Sequence, residues 1–310
     1  MSFLQIACWN IENLSGNKRY HKQSAYALTD HIEMAGVDLI ALQEIYLTPL
    51  DEEVRLFDDQ PLIDSRAVTD LRNSDLDIVC FLLEELLQSS WKYIILPNRR
   101  ADDDSQLCAV LWNASRLTIG DVIPLDVSFR NFNLRLWERW PHVLQFSSEF
   151  GVWRRSATGA WEKQAEKRTL SIVPLHMKSN TDGASKGRRV RAKEAETLCE
   201  ALEKVKDAID PSLILLGDTN ILRNDEQAID IFVDHGFIDL NESDAATYWS
   251  RQYGESPFDR IFVPAGREEF KYSRQYVLRS SDLSIHDRFL SDHFMIKTSV
   301  KNYIDDADPR

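Results

Sequence analysis

"SLILLGDTN", residues 212–220, is an apolar run that stops at Gly217 and then presents Asp218 and Asn220, two polar side chains one residue apart. The run Leu213–Leu216, bounded by Ser212 and Gly217, reads as a buried strand. A strand that ends in a carboxylate and an amide either turns there or stops at the edge of a reactive site, because Asp and Asn serve tight turns as well as chemistry. The other strands of the chain decide between the two.

The same construction recurs. "FLQIACWN" (3–10) reaches Asn10, "DLIALQE" (38–44) reaches Glu44 and "TLSIVPLH" (169–176) reaches His176. "DRIFVP" (259–264) opens at Asp259, and "HFMIKTSV" (293–300) opens at His293 just after Asp292. If the last two strands run antiparallel to the first four, all these side chains gather along one edge. Carboxylates, an amide and two histidines meeting there would repel or stay unpaired without a cation and a phosphate between them.

Further strands are expected at 92–98, 107–113 and 142–146, and helices at 18–35, 75–90, 187–209 and 224–235. In the third helix Leu198, Leu202, Val205 and Ile209 recur at helical spacing, and Pro211 ends it. Segments 121–141 and 147–167 read as long loops or hairpins. With no internal repeat and no low-complexity linker, the pattern implies a single domain over 1–302 and a C-terminal tail over 303–310.

With 310 residues, 43% of them hydrophobic and 28% charged, the chain can bury a large core. It has no apolar run long enough to span a membrane, and "MSFLQIACWNIENL" turns polar too early for a signal peptide, so a soluble cytoplasmic protein with no membrane anchor is expected. Cys8, Cys80, Cys108 and Cys199 lie far apart in mostly apolar stretches and read as reduced core residues. The net charge of −13 argues against a protein that coats a polyanion along its whole surface, while a local basic patch or a carboxylate-lined metal cleft remains compatible with it.

Taken in order, "WNIEN", "LQE", "RWPHVLQF", "PLHMKSN", "GDTN", "TYW", "FDRIFV" and "SDH" span nearly the whole chain, and the series resembles the endonuclease/exonuclease/phosphatase superfamily of deoxyribonuclease I-like proteins. The resemblance implies an α/β (α+β) four-layer sandwich, two packed mixed β-sheets flanked by helices, with a divalent-metal site at one end. It also implies metal-dependent hydrolysis of phosphoric esters. On the matching positions, Asn10, Glu44 and Asp292 are the implied metal ligands, with Glu12 where relatives often carry an acid. Asp218 is implied to orient or activate the attacking water, and Asn220 to hold the phosphate or align Asp218. His293 is implied to face the phosphate with Asp259 fixing its tautomer, and His176 to be a phosphate ligand or general acid. Hard oxygen ligands of this kind suit Mg2+ or Mn2+.

The superfamily does not choose a substrate. After His176, "KSNTDGASKGRRVRAK" places Lys178, Asn180, Lys186, Arg188, Arg189, Arg191 and Lys193 beside the expected site, with Lys178, Asn180, Arg188 and Arg189 as candidate substrate-binding residues. Cations in the first turn of a helix oppose its macrodipole and make more sense next to a polyanion. "FRNFNLRLWERW" (129–140) interleaves Arg130, Arg135 and Arg139 with Phe129, Phe132, Trp137 and Trp140, suiting either packing or base stacking. Tyr248 and Trp249 in "TYW" stand near the substrate or in the core. The expectation is a nuclease acting on DNA, or on RNA, by in-line water attack; the alternative is a phosphatase or phosphodiesterase for a small-molecule or lipid phosphoester.

Overall fold

A computed structural model of the chain describes residues 3–16, 23–49, 64–99, 106–131, 133–155 and 161–301. The expected tail over 303–310, the start of the first helix and Phe132 lie outside the described residues.

In chain order the strands are β1 (Phe3–Leu14), β2 (Leu39–Ile45), β3 (Trp91–Leu96), β4 (Leu107–Asn113), β5 (Thr118–Pro124), β6 (Arg130–Asn131), β7 (Leu134–Arg135) and β8 (His142–Arg155). They continue with β9 (Trp161–His176), β10 (Leu213–Asp218), β11 (Phe237–Asp239), β12 (Tyr248–Ser250), β13 (Gly254–Ser256), β14 (Asp259–Pro264), β15 (Tyr276–Leu278) and β16 (Met295–Lys301). The helices are α1 (Ala25–Ala35), α2 (Ser74–Leu87), α3 (Ala184–Val205), α4 (Gln227–Asp234) and α5 (Leu283–Phe289). One six-stranded sheet has the order β15-β16-β1-β2-β4-β3 and the other β11-β14-β10-β9-β8-β5. Each is mixed: β1 runs parallel to β2 and β9 to β10, and their other pairings are antiparallel.

Side chains alternate across each sheet with the period of two that strands impose. In β1, Leu4, Ile6 and Cys8 point between the sheets with Ile172, Ile214 and Ile261, while Ala7, Trp9 and Ile11 point outward against α1 and α2. In β10, Ile214 and Leu216 face the first sheet, whereas Leu213 and Leu215 pack against α3 and α4. The layers are therefore helices, sheet, sheet, helices, as expected for the four-layer sandwich. All four cysteines are free and buried. Among the described residues no helix is long and apolar enough to cross a membrane.

β14 runs antiparallel to β10, and β16 to β1. That is the orientation under which the polar strand ends meet. Two expected strand ends need correction. β1 does not stop at Asn10; it continues to Leu14 past a register break, with Glu12 and Asn13 at φ 49° and 58°. His293 lies before β16 rather than inside it, joined to Tyr248 by an isolated bridge. Segment 121–141 holds the small antiparallel β6–β7 pair; within 147–167, residues 147–155 of β8 pair antiparallel with β9 from Trp161 on, and 156–160 lie outside the described residues.

Candidate active site

Pairing between strands sets the site. In the parallel β9–β10 pair His176 is opposite Asp218, and in the antiparallel β10–β14 pair Asp218 is opposite Asp259. This close approach depends on Gly217, whose φ is 151° and where a Cβ would lie 2.0 Å from the Leu175 carbonyl oxygen. From the other sheet, Asn10 donates through Nδ2 to Asp218 Oδ2 at 3.0 Å and to Glu44 Oε1 at 3.3 Å. The two sheets thus meet at their chemistry through one amide.

Asp218 also accepts the Asn220 backbone N–H at 2.9 Å. Burial pushes its carboxyl up to about 6; the Asp259 and Glu44 charges add to the rise, and His293 and the Asn10 hydrogen bond oppose it. His293 donates from Nδ1 to Asp259 Oδ2 at 2.8 Å. Burial works against its protonation, but the Asp259 charge and hydrogen bond, with Asp218 and Asp292, hold its pKa well above the ordinary histidine value. His176 is the opposite case. Burial, then the positive charges of Arg139 and His293, keep it neutral, with Nε2 3.7 Å from Asp218 Oδ2 and 4.0 Å from Glu44 Oε1, and Nδ1 buried without a partner. A neutral imidazole offers one N–H, which fits a ligand to phosphate oxygen better than a general acid.

Beside this group lie Glu12, Glu44 and Asp292. The Asp292 N–H donates to Glu12 Oε2 at 3.2 Å, and the Asn13 N–H to Glu44 Oε2 at 3.2 Å. Burial pushes Asp292 up to about 7, opposed by His293 and reinforced by the Glu12, Glu44 and Asp287 charges. Glu12 and Glu44 have φ of 49° and 64°, the left-handed region that side-chain-bearing residues rarely adopt. Asn13 and Asn220 share this conformation at φ 58° and 54°, and backbone strain gathered around the carboxylates is a signal that residue types and spacing do not carry.

The residues nominated from sequence fall into two groups. Asn10, Glu44, His176, Asp218, Asp259, Asp292 and His293 come together. Asn220 adjoins them, but its side-chain amide donates to the Met177 carbonyl at 3.1 Å, so it braces the strand ends. The nominated substrate-binding residues are largely engaged elsewhere. Lys178 Nζ is 3.4 Å from both Glu138 and Asp182, and Asn180 bonds the Asn220 carbonyl and Arg191. Arg188 approaches Glu226 at 3.7 Å, and Arg189 is exposed on α3 in a groove shared with Asn131 and Asn133 of the β6–β7 hairpin. Arg191 is fully buried against Glu226, with bonds of 2.7–3.0 Å. Trp137 is core, its indole bonded to Thr197 and its amide to Glu194, so it is not available for stacking. Tyr248 does border the site, its ring 5.0 Å from that of His293. Arg139 has a role that the sequence did not assign it: it bonds Gln106, which in turn bonds Asn13 at 2.9 Å, and its charge reaches His176. The sequence signal for it is a basic residue immediately before the strand-opening "WPH".

Compared with protein-family models and with curated proteins, the sequence matches none. Solved structures do match. An endonuclease/exonuclease/phosphatase family protein from Bacteroides thetaiotaomicron is 17% identical with a TM-score of 0.56, the match covering 96% of this chain and 97% of that one. D. rerio TDP2 complexed with single strand DNA product is 16% identical with a TM-score of 0.57, covering 96% and 99%. A mannosyl-6-phosphatase of Bacteroides thetaiotaomicron is 18% identical with a TM-score of 0.56, covering 96% and 99%. At such identities the likeness is one of architecture over nearly the full length, and the chain has the four-layer sandwich fold of the endonuclease/exonuclease/phosphatase proteins.

Proposed function

We propose that the protein is a divalent-metal-dependent phosphoric ester hydrolase, with nucleic-acid phosphodiesters, DNA before RNA, as its first substrate class. The observation that carries the hydrolase reading is the opposed pair at the sheet edge: an Asp218 carboxylate pushed up to about 6, facing a His293 imidazolium held by Asp259. Asp218, oriented by Asn10 Nδ2 and the Asn220 N–H, takes the proton from the attacking water. His293 and the single N–H of His176 stabilise charge on the phosphoryl oxygens, so that catalysis is mostly positioning and electrostatics.

The residues fit a hard divalent ion. Among the described residues no three His, Cys, Asp or Glu side chains converge on one point, but Mg2+ keeps several waters and needs only one or two carboxylates. Glu44 and Asp292 would hold it, with Glu12 alongside and with Asn10 Oδ1, which accepts the Glu12 N–H at 3.0 Å and keeps a second lone pair. Burial lifts Asp292 to about 7 and the Glu12 and Glu44 charges reinforce the rise; that repulsion is the part a cation would relieve. When bound, the ion would supply Lewis-acid polarisation of a phosphoryl oxygen.

Nucleic acid as substrate is supported by the exposed Arg189, the Arg130–Phe129–Arg135 cluster with guanidinium-to-ring distances of 5.9 and 5.5 Å, and the DNA product named for the TDP2 structure of this fold. A small phosphoester is the second reading, favoured by the ion pairing of Lys178, Lys186, Arg188, Arg191 and Lys193 with neighbouring acids. One experiment tests both: purified protein with Mg2+, Mn2+ or EDTA, given supercoiled plasmid, linear duplex, single strands, RNA and a generic phosphodiester. Asp218→Asn and His293→Ala are expected to lose about 100-fold or more in turnover while staying folded. Metal-dependent DNA or RNA cleavage supports the first reading, cleavage of the generic ester alone moves the assignment to the second, and near-normal turnover in either variant removes the hydrolase mechanism.

A further inference from the structure

The backbone of His293 is held by side chains on both sides. Its carbonyl accepts the Trp9 indole N–H at 3.0 Å and a bond from His286 Nε2 at 3.1 Å. Its amide donates to Ser291 Oγ at 3.0 Å, and that hydroxyl donates to the Asn10 carbonyl at 2.7 Å. A carbonyl only accepts, so His286 Nε2 carries its hydrogen. In the neutral ring Nδ1 is then the acceptor, and Ser280 Oγ, 2.7 Å away, must be the donor. The tautomer of His286 is therefore set by its two partners.

The location of His286 inverts the usual logic of burial. On the short helix α5 it is 1% exposed, while Ile285 and Phe289 are 56% and 40% exposed. A helix placed by the hydrophobic effect alone would bury the isoleucine and the phenylalanine. The helix is turned instead to deliver a hydrogen bond. Behind it, the His31 ring on α1 packs 5.6 Å from His286 and 5.1 Å from Trp9, and Phe294 packs 5.0 Å from His286. Both donors to the His293 carbonyl thus rest on one aromatic backing, and neither touches the candidate reacting atoms.

We propose that His286 is a positioning residue: with Ser280 fixing its tautomer, it holds the His293 carbonyl and so sets where the His293 imidazole stands between Asp259 and Asp218. This rests on the reading of His293 as catalytic, and it makes the segment between β15 and β16 part of the active-site framework.

The test compares His286→Phe, which keeps the buried ring and removes the donor, with His286→Gln, which restores an N–H donor, and with Ser280→Ala, which frees the tautomer at a half-buried position. His286→Phe is expected to lower kcat about tenfold with KM within about twofold, His286→Gln to recover most of it, and Ser280→Ala to fall between. A packing role would lower the melting temperature of His286→Gln as well and show no kcat rescue. Wild-type kcat in both His286→Phe and Ser280→Ala overturns the proposal. If the wild type hydrolyses none of the phosphoesters, the functional reading fails separately, and the ring 15N resonances of His293 decide this one: displaced in His286→Phe and restored in His286→Gln supports it, while unchanged in both overturns it. If His286→Phe does not fold, Ser280→Ala decides by the same two readouts.

Discussion

Glu194 shows what a single buried group adds to this site. From α3 it accepts the Trp137 N–H through Oε1 and the Lys178 N–H through Oε2, both at 2.9 Å, so one carboxylate pins the strand end that carries His176 to the loop before β8. Burial pushes it from the ordinary 4.5 to about 7, against the two N–H bonds and the charges of Arg139 and Arg191. The folded protein therefore holds this proton more tightly than the unfolded chain. The Glu194 contribution to stability is greatest below about pH 4.5, declines as pH rises, and levels off above about pH 7, a loss of about 3 kcal/mol at about 1.4 kcal/mol per pKa unit. Glu194→Gln removes the titration and leaves one N–H without an acceptor, a cost of about 1–3 kcal/mol that does not depend on pH. Urea unfolding at pH 4.5 and pH 7.5 is expected to show wild type losing its advantage over the variant across that interval. Parallel stability curves would mean that Glu194 titrates as an ordinary carboxylate.

At the scale of elements, the β9–β10 pair sets the approach of His176 to Asp218. Gly217→Ala would place a methyl group against the Leu175 carbonyl, so either the strands part or the backbone leaves its φ of 151°. A loss of at least about 3 kcal/mol is expected, read as a lowered urea midpoint, together with loss of activity as His176 and Asp218 separate. Wild-type stability in that variant would place the two strands further apart than described. These central strands were legible because burial on both faces makes them continuous apolar runs, and the expected bounds of β4 and β14 coincide with those observed. What stayed hidden has physical reasons. β11, β12, β13 and β15 are three residues each, too short to show a period, and β5 lies at a sheet edge with exposed residues. The polar "NIEN" reads as an end, yet β1 passes through it on a bulge that spends its strain at Glu12 and Asn13. α5 did leave a trace: Asp282 caps the N–H groups of Ser284 and Ile285, an N-cap signal standing in plain sequence. The site was legible for a related reason, since a catalytic group placed at a strand terminus sits where an apolar run stops. The bracing by Arg139 and Glu194 was not, because it depends on partners remote in sequence; that by His286 was not either, because its partners six and seven residues away are met only once α5 has folded.

For the molecule as a whole, charge sets the remaining question. The net is −13, and much of the basic run beside the site is paired with acids, so attraction of a polyanion has to come from a few exposed arginines and from whatever neutralises Glu12, Glu44 and Asp292. A ligand that binds only the folded state stabilises it by RT ln(1 + [L]/Kd), about 2.7 kcal/mol at a hundredfold excess over Kd. Relief of carboxylate repulsion by a cation therefore has a readout that needs no substrate. Millimolar Mg2+ or Mn2+ is expected to raise the melting temperature of the wild type by a few degrees. Glu44→Gln is expected to melt higher than wild type in EDTA, because one repelling charge is gone, and to gain little from either ion. The two effects have opposite signs in the same variant, which separates a metal site from a general salt response: an equal rise in both proteins, or one that sodium chloride at matched ionic strength reproduces, would mean that these carboxylates do not hold the ion.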